Sequence, residues 1–486
     1  MKKIVVIIFV CLMIFPLFFF GCSKENKQIN SYDIVLNYDN LTQTAACHES
    51  VNYANLSENA LSDICFHLYP KAFSENSKQT VVSNALKEKA YYDDNFYGDI
   101  EIQNVKIAQN DVEFNIDEND ILQVLLSKTL YPDERVQIDI DFLLILPHIN
   151  HRFGYGDNTI NFGNFYPIVC VYEDGFGFKK DGYSSNGDPF YSDVANYHVT
   201  VNYDSKFLLA STGEQSTTNR GETKSTKVIA NNVRDFCFVL SEKFSCVEKQ
   251  VGETKVKYFY YDDEDSEKSL QISCDALKTF NDMFGKYPYK QLCIVKSNFV
   301  HGGMEYPNLV MISDDISNHL DYEYVIVHEI GHQWWYGVVG NDEFDEGWVD
   351  ESLTEYSTLL FFEQNRQYGL NYGDMINNAN SAYKQFLGVY TKIYDNFDTS
   401  MNRKLNEFKT EPEYVNLVYT KGVLMYDTIR QMVGEKKFLK CLQKYFEKYK
   451  FKNVTGDELI AVFEKYANND VGNIFRAWLN GDVVII

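Results

Sequence analysis

His328 and His332 stand four residues apart in Val327-His328-Glu329-Ile330-Gly331-His332. On a helix that spacing rotates two side chains by only about 40° and separates them by about 6 Å of rise. Both imidazoles can therefore reach one metal ion. Neutral imidazole suits zinc, at about 2.0–2.1 Å. Glu329 lies beside the pair, placed to take a proton from a water that the metal activates rather than to bind the metal itself. A catalytic zinc keeps three protein ligands and one open position. Glu351, in Trp348-Val349-Asp350-Glu351, is the candidate third ligand.

Two helices must position these groups. Val327, Ile330 and Trp334 repeat at helical spacing and form an apolar back. The front is expected to carry His328, Glu329, His332 and the rings of Trp335 and Tyr336. In the second helix Val349, Leu353, Tyr356 and Leu360 form a core face. Glu351 falls on the opposite face, in line with Glu355 and Thr358, and Glu355 is a candidate partner for a ligating histidine. His148-x-x-His151 follows a strand-like run and Pro147, so its histidines read as surface or capping residues, as do His48, His67, His198 and His319.

The pattern H-E-x-x-H, eighteen residues, then Glu in a W-x-x-E context resembles the gluzincin zinc aminopeptidases related to aminopeptidase N and leukotriene hydrolase. Gln333-Trp334 fits the same family. The resemblance extends to Gly302-Gly303-Met304-Glu305-Tyr306, similar to the family's G-x-M-E-N strand, with Tyr306 in place of Asn. It implies that the backbone of Gly302, Gly303 and Met304 pairs with a peptide as an added strand, and that Glu305 binds the substrate's free α-ammonium. Tyr419-Thr420-Lys421-Gly422 resembles the family's Y-x-K-G segment and implies that Tyr419 donates to the developing oxyanion. Ser352 stands where the family usually has Gly.

What the resemblance implies overall is an N-terminal all-β antiparallel sheet domain followed by a thermolysin-like α+β, mostly helical zinc peptidase domain. Asn164-Phe165-Tyr166-Pro167 and Gly187-Asp188-Pro189-Phe190-Tyr191 resemble the family's N-terminal domain. Larger relatives carry a further helical domain after the catalytic one. This sequence is expected to lack it and to have a more open cleft. The implied activity is a zinc aminopeptidase acting on peptides with a free N-terminus. A zinc endopeptidase, an epoxide hydrolase and a catalytically inactive surface-binding relative are the alternatives.

The chain has 486 residues, enough for two cores, with 45% hydrophobic and 23% charged residues. Its net charge of −24 argues against nucleic acid as a partner. Lys2 and Lys3, an apolar run from Ile4 to Phe20 and Gly21-Cys22 describe an export signal. The ending resembles a lipoprotein lipobox, so attachment to a membrane through a lipid on Cys22 is expected, with an uncleaved span as the alternative. The expected divisions are residues 1–22 as signal, 23–31 as tether, 32–252 as β domain and 253–486 as catalytic domain. The ten cysteines form no C-x-x-C, which leaves a second, thiolate zinc site without support. Those outside the signal and Cys22 are expected to be small buried hydrophobes.

Overall fold

The computed structural model describes residues 29–92, 96–395, 397–467 and 470–483. The signal and most of the tether lie outside them. Among the described residues no helix is long and apolar enough to cross a membrane.

The N-terminal half is built from alternating strands. In Asn30–Asp39 the side chains of Tyr32, Ile34, Leu36 and Tyr38 are buried while those between them face outward, the period-2 pattern of a half-buried strand. This strand begins earlier than the sequence suggests. Asn30 and Ser31, read as tether, pair with Ala195 and Asn52. It sits inside an eight-stranded sheet, antiparallel throughout except for its own parallel pairing with Ala195–Asp204. Two four-stranded sheets pack beside it.

The catalytic half opens with a five-stranded sheet in the order Ser245–Val251, Thr254–Tyr260, Gln291–Ser297, Leu309–Ser313, Gly303–Met304. Its first strand lies ahead of the boundary expected between residues 252 and 253. The inner three strands are parallel, which requires a crossover, and the helix Ser266–Met283 supplies it. In Gln291–Ser297 and Leu309–Ser313 both faces are buried, so Leu292–Val295 and Leu309–Ile312 read as continuous apolar runs. Leu292, Ile294, Val310 and Ile312 face the helical core, while Cys293, Val295, Leu309 and Met311 face the β half. One sheet therefore belongs to both cores and fixes the two halves against each other.

Helices fill the remainder. The histidine helix is His319–Gly331 and the glutamate helix is Trp348–Gln364. After them the sequence suggests a helix pair, but Tyr372–Ile393 is a single helix of 22 residues. Its stripe of Tyr383, Phe386, Leu387 and Tyr390 keeps one helical period throughout, so nothing breaks it. A capping box of Thr455 and Glu458 starts Gly456–Tyr466. Seven of the eight cysteines in the described residues are buried, as expected, and Cys246 is exposed.

Of the histidines expected at the surface or as caps, His48 and His198 are exposed and His319 is half-buried, lying against Asp141, Asp33 and Glu323 respectively, whereas His67, His148 and His151 serve packing instead. His148 stacks between Tyr92 at 3.8 Å and Tyr155 at 4.5 Å, while His151 is buried with Nε2 3.2 Å from the carbonyl of Val81. His67 is buried and stacks on Tyr69 at 4.8 Å, and burial lowers its pKa to about 4. The unfolded chain, with a His pKa near 6.5, binds more protons between those two values. Stability from this residue is complete above about pH 6.5 and is lost as pH falls toward 4. We expect His67→Phe to reduce the loss of stability between pH 7.5 and 4.5 by about 2 kcal/mol, read from denaturant midpoints at both pH values.

Candidate functional site

The two helices are brought close by glycine. A Cβ on Gly331 would lie 3.0 Å from Thr354 Cγ2 of the glutamate helix, so a larger residue would require Thr354 to give way. At this crossing three side chains converge. His332 Nε2 lies 3.1 Å from His328 Nε2 and 3.1 Å from Glu351 Oε2, and His328 Nε2 lies 3.4 Å from the same oxygen. All three residues are buried.

The other ring nitrogens decide what this cluster can hold. His332 Nδ1 lies 3.0 Å from the Trp335 carbonyl, which can only accept, so the proton sits on Nδ1 and the Nε2 lone pair faces the cluster. Thr354 Oγ1 is 3.2 Å from the same nitrogen. His328 Nδ1 lies 2.8 Å from Glu355 Oε2, and Tyr324 Oη donates to Glu355 Oε1 at 2.6 Å. Burial disfavours charge on His328, yet Glu351 and Glu355 raise its pKa to about 10. Burial pushes Glu351 up, but the imidazoles, His332 foremost, pull it below its ordinary value. Two nitrogen lone pairs and one carboxylate oxygen thus meet at a point that calls for positive charge. A tetrahedral divalent cation fits this donor set.

Glu329 leaves the same helix and lines a cavity of about 370 Å³ together with all three converging residues. The edge strand passes directly over it: a Cβ on Gly303 would lie 2.2 Å from Glu329 Oε1. Only glycine allows that approach. Burial raises the Glu329 pKa to about 7, with His328 and His332 holding it down. A carboxylate with this pKa beside the converging ligands can exchange a proton with a water there.

Glu305 ends the edge strand. Its carboxylate is buried, borders the cavity and has no hydrogen-bond partner on Oε1. Burial drives its pKa up; His332 opposes this, and Asp188, Glu329 and Glu351 add to it. Carboxylate oxygens of Asp188, Glu305 and Glu351 lie within 4.8 Å of one another. Negative charge gathered in this way is relieved by a cationic group of the ligand. Gln333 holds the turn behind Glu305, donating from Nε2 to the carbonyls of Glu305 at 3.2 Å and Tyr306 at 3.1 Å. Tyr306 is buried, and its hydroxyl donates to Asn164 Oδ1 at 2.5 Å, tying the strand to the β half. Gly302 and Gly303 border the cavity. Met304 does not: its buried side chain packs into the core shared with the β half, and its sulfur lies 3.2 Å from Arg152 Nη1. Only its backbone can serve a ligand.

Tyr419 lies in a π-helical turn, Val415–Thr420, that joins a short helix to Lys421–Val433. Such turns recur at functional sites. Its hydroxyl donates to Glu351 Oε1. Burial and the neighbouring Glu351 keep the phenol protonated well above its ordinary pKa.

Two expectations change. Trp335 and Tyr336 do not join the metal face, because the helix ends at Gly331 and His332 occupies its C-cap. Trp335 packs against Phe284 and Tyr445 and donates to Ser357, and Tyr336 adopts a positive φ in the following turn. Thr358 bonds back to Thr354 within its own helix rather than to the cluster. Two further residues of the site were not singled out. Asp188 carries no signal of its own within the Gly187–Tyr191 stretch, and Arg152, buried, pairs with it. Arg152 is the only Lys or Arg lining the cavity among the described residues. Its proximity to Asp188 is tertiary and leaves no spacing signal.

Residues 268–478 match the family model described as Peptidase family M1 domain. Aminopeptidase N of Lactobacillus delbrueckii subsp. lactis is 25% identical over 240 residues, 44% of this chain and 27% of that protein. Leukotriene A-4 hydrolase of Xenopus laevis is 26% identical over 222 residues, 42% of this chain and 34% of that protein. The chain thus matches about a third or less of the length of these curated relatives. The M1 zinc metallopeptidase of Deinococcus radiodurans superposes with a TM-score of 0.68 over 94% of this chain and 95% of its own, at 16% identity. A mutant of that metallopeptidase has been solved bound to a Tyr-Ser-Ala substrate.

The Tyr324–Glu355 pair should govern how firmly His328 is held. Removing the carboxylate in Glu355→Ala is expected to weaken metal binding about 10- to 100-fold, as for other partners of ligating histidines. Competition with a chelating dye measures this directly; unchanged affinity would separate Glu355 from the metal site.

Proposed function

We propose, from the premise that residues 268–478 form a Peptidase family M1 domain, that this chain is a zinc-dependent aminopeptidase removing N-terminal residues from peptides. The observation that carries the reading is the buried Glu305 carboxylate, with Oε1 unpartnered, on the same cavity as the His328–His332–Glu351 cluster and Glu329. One zinc ion held by His328, His332 and Glu351 would polarise the scissile carbonyl and acidify the attacking water.

The protein's own groups do the rest. Glu305 receives the α-ammonium and so fixes how far the first residue extends toward the cluster. The edge strand offers backbone groups of Gly302, Gly303 and Met304 to the peptide. Glu329 takes the water's proton and delivers it to the departing amine. Tyr419 turns its hydroxyl from Glu351 to the oxyanion and donates to it without adding charge. An endopeptidase binds a neutral stretch of chain and would leave Glu305 buried without a cation. An inactive binding protein has no need of Glu329 beside the cluster. The apolar run before Gly21-Cys22 supports an exported enzyme held at a membrane surface through its N-terminus.

Aminoacyl amidomethylcoumarins, free and N-acetylated, test this reading with zinc-replete and chelated protein. Chelator-sensitive release from free-amine substrates alone is the expected result. Equal cleavage of acetylated substrates would overturn the aminopeptidase reading. Glu329→Gln should retain zinc while kcat falls about 10²- to 10⁴-fold. Glu305→Gln should raise KM for free-amine substrates and narrow their advantage over acetylated ones.

A further inference from the structure

Ser352, directly after Glu351, is fully buried. Its hydroxyl donates to the carbonyl of Val418 at 2.6 Å. Val418 belongs to the π-helical turn and immediately precedes Tyr419. From the opposite direction, the Tyr419 hydroxyl donates to Glu351 Oε1. Residues 351–352 and 418–419 are therefore joined by two hydrogen bonds that run opposite ways and close a ring. The backbone bond fixes where the phenol starts, and the phenol bond fixes where it points.

The fit around Ser352 is specific. A Cβ on Gly422 would lie 2.3 Å from Ser352 Oγ and 2.4 Å from its Cβ. The serine has room only because the residue facing it is glycine. A π turn is an irregular winding, held in place by partners outside its own helix. Without the serine hydroxyl the buried Val418 carbonyl loses a donor, and the Cβ of residue 352 alone faces Gly422. The turn that carries Tyr419 is then free to shift.

We propose that Ser352 is a positioning residue for Tyr419. It holds the backbone of the π turn so that only the phenol, and not its turn, moves when the hydroxyl leaves Glu351 for the oxyanion. This rests on the reading of Tyr419 as an oxyanion donor. A purely structural staple between two helices would affect stability in any background; a positioning residue matters only while the phenol is there to be positioned.

A double-mutant cycle separates the two. Ser352→Ala, Tyr419→Phe and the double variant are compared by kcat and KM on a free-amine aminoacyl amidomethylcoumarin and by zinc content. Amide hydrogen exchange across residues 415–422 is measured with and without zinc. Ser352→Ala is expected to lower kcat about tenfold, with KM within about twofold, zinc content unchanged and faster exchange across 415–422. In the Tyr419→Phe background the same change should cost less than about twofold further. Gly422→Ala, which displaces the serine hydroxyl, should reproduce the loss, and it serves as the second variant if Ser352→Ala does not fold. Equal losses in both backgrounds, or unchanged exchange across 415–422, would overturn the proposal. If the unaltered protein releases no amino acid from any substrate, the aminopeptidase reading fails instead, and unchanged exchange across 415–422 in zinc-free Ser352→Ala would still overturn the proposal.

Discussion

Two imidazole lone pairs and a carboxylate oxygen have to be kept within about hydrogen-bond distance of one another, out of water. Left alone, such a cluster would swell, rotate or hydrate, because burying like-facing acceptors is costly. The surroundings answer this atom by atom. Each outward nitrogen of the histidines meets an acceptor, Glu355 for one and the Trp335 carbonyl for the other, and the second oxygen of Glu351 meets Tyr419. These contacts restrict how the three side chains can turn. Positive charge at the centre relieves the gathered acceptors.

That requirement reaches outward into the fold. Three side chains on two helices can converge only if the helices nearly touch, and Gly331 against Thr354 allows it. The edge strand must cross the base, and Gly303 allows that. The helices in turn need a rigid floor. The five-stranded sheet supplies one because both of its faces are buried, one against helices and the other against the β half. The β domain is therefore part of the site's construction: it covers the sheet, and it brings Asp188 and Arg152 to the cavity wall.

How much of this could be read from sequence follows from how local each signal is. His328, Glu329 and His332 share one helical turn, so spacing alone places them together. Glu351 needed the further inference that a second amphipathic helix presents the right face, and Glu355 followed from the same stripe. The histidine helix is shorter than its apolar period suggests, because that period continues through Trp334 and Trp335 while the backbone does not: His332, still in helical geometry, caps the helix, and the chain turns after it. Glu305 and Tyr419 carried no periodic signal and were identified only by resemblance. The Asp188–Arg152 pair carried neither. Its partners are remote in sequence, and their meeting depends on how a β-domain loop folds over the catalytic sheet.

Where the chain departs from the motifs it resembles, the replacing residues make contacts of their own across the site. Tyr306, in place of Asn, reaches across to Asn164 and anchors the edge strand to the β half. Ser352, in place of Gly, fills space that Gly422 leaves open and binds the turn before Tyr419. Asn164 in turn donates to Asp235, so the Tyr306 contact joins the edge strand to a buried hydrogen-bond network of the β half. Both substitutions add a hydrogen bond between an element that holds a reactive group and an element that must not move. Sequence divergence at these positions is therefore consistent with a site kept rigid by other means.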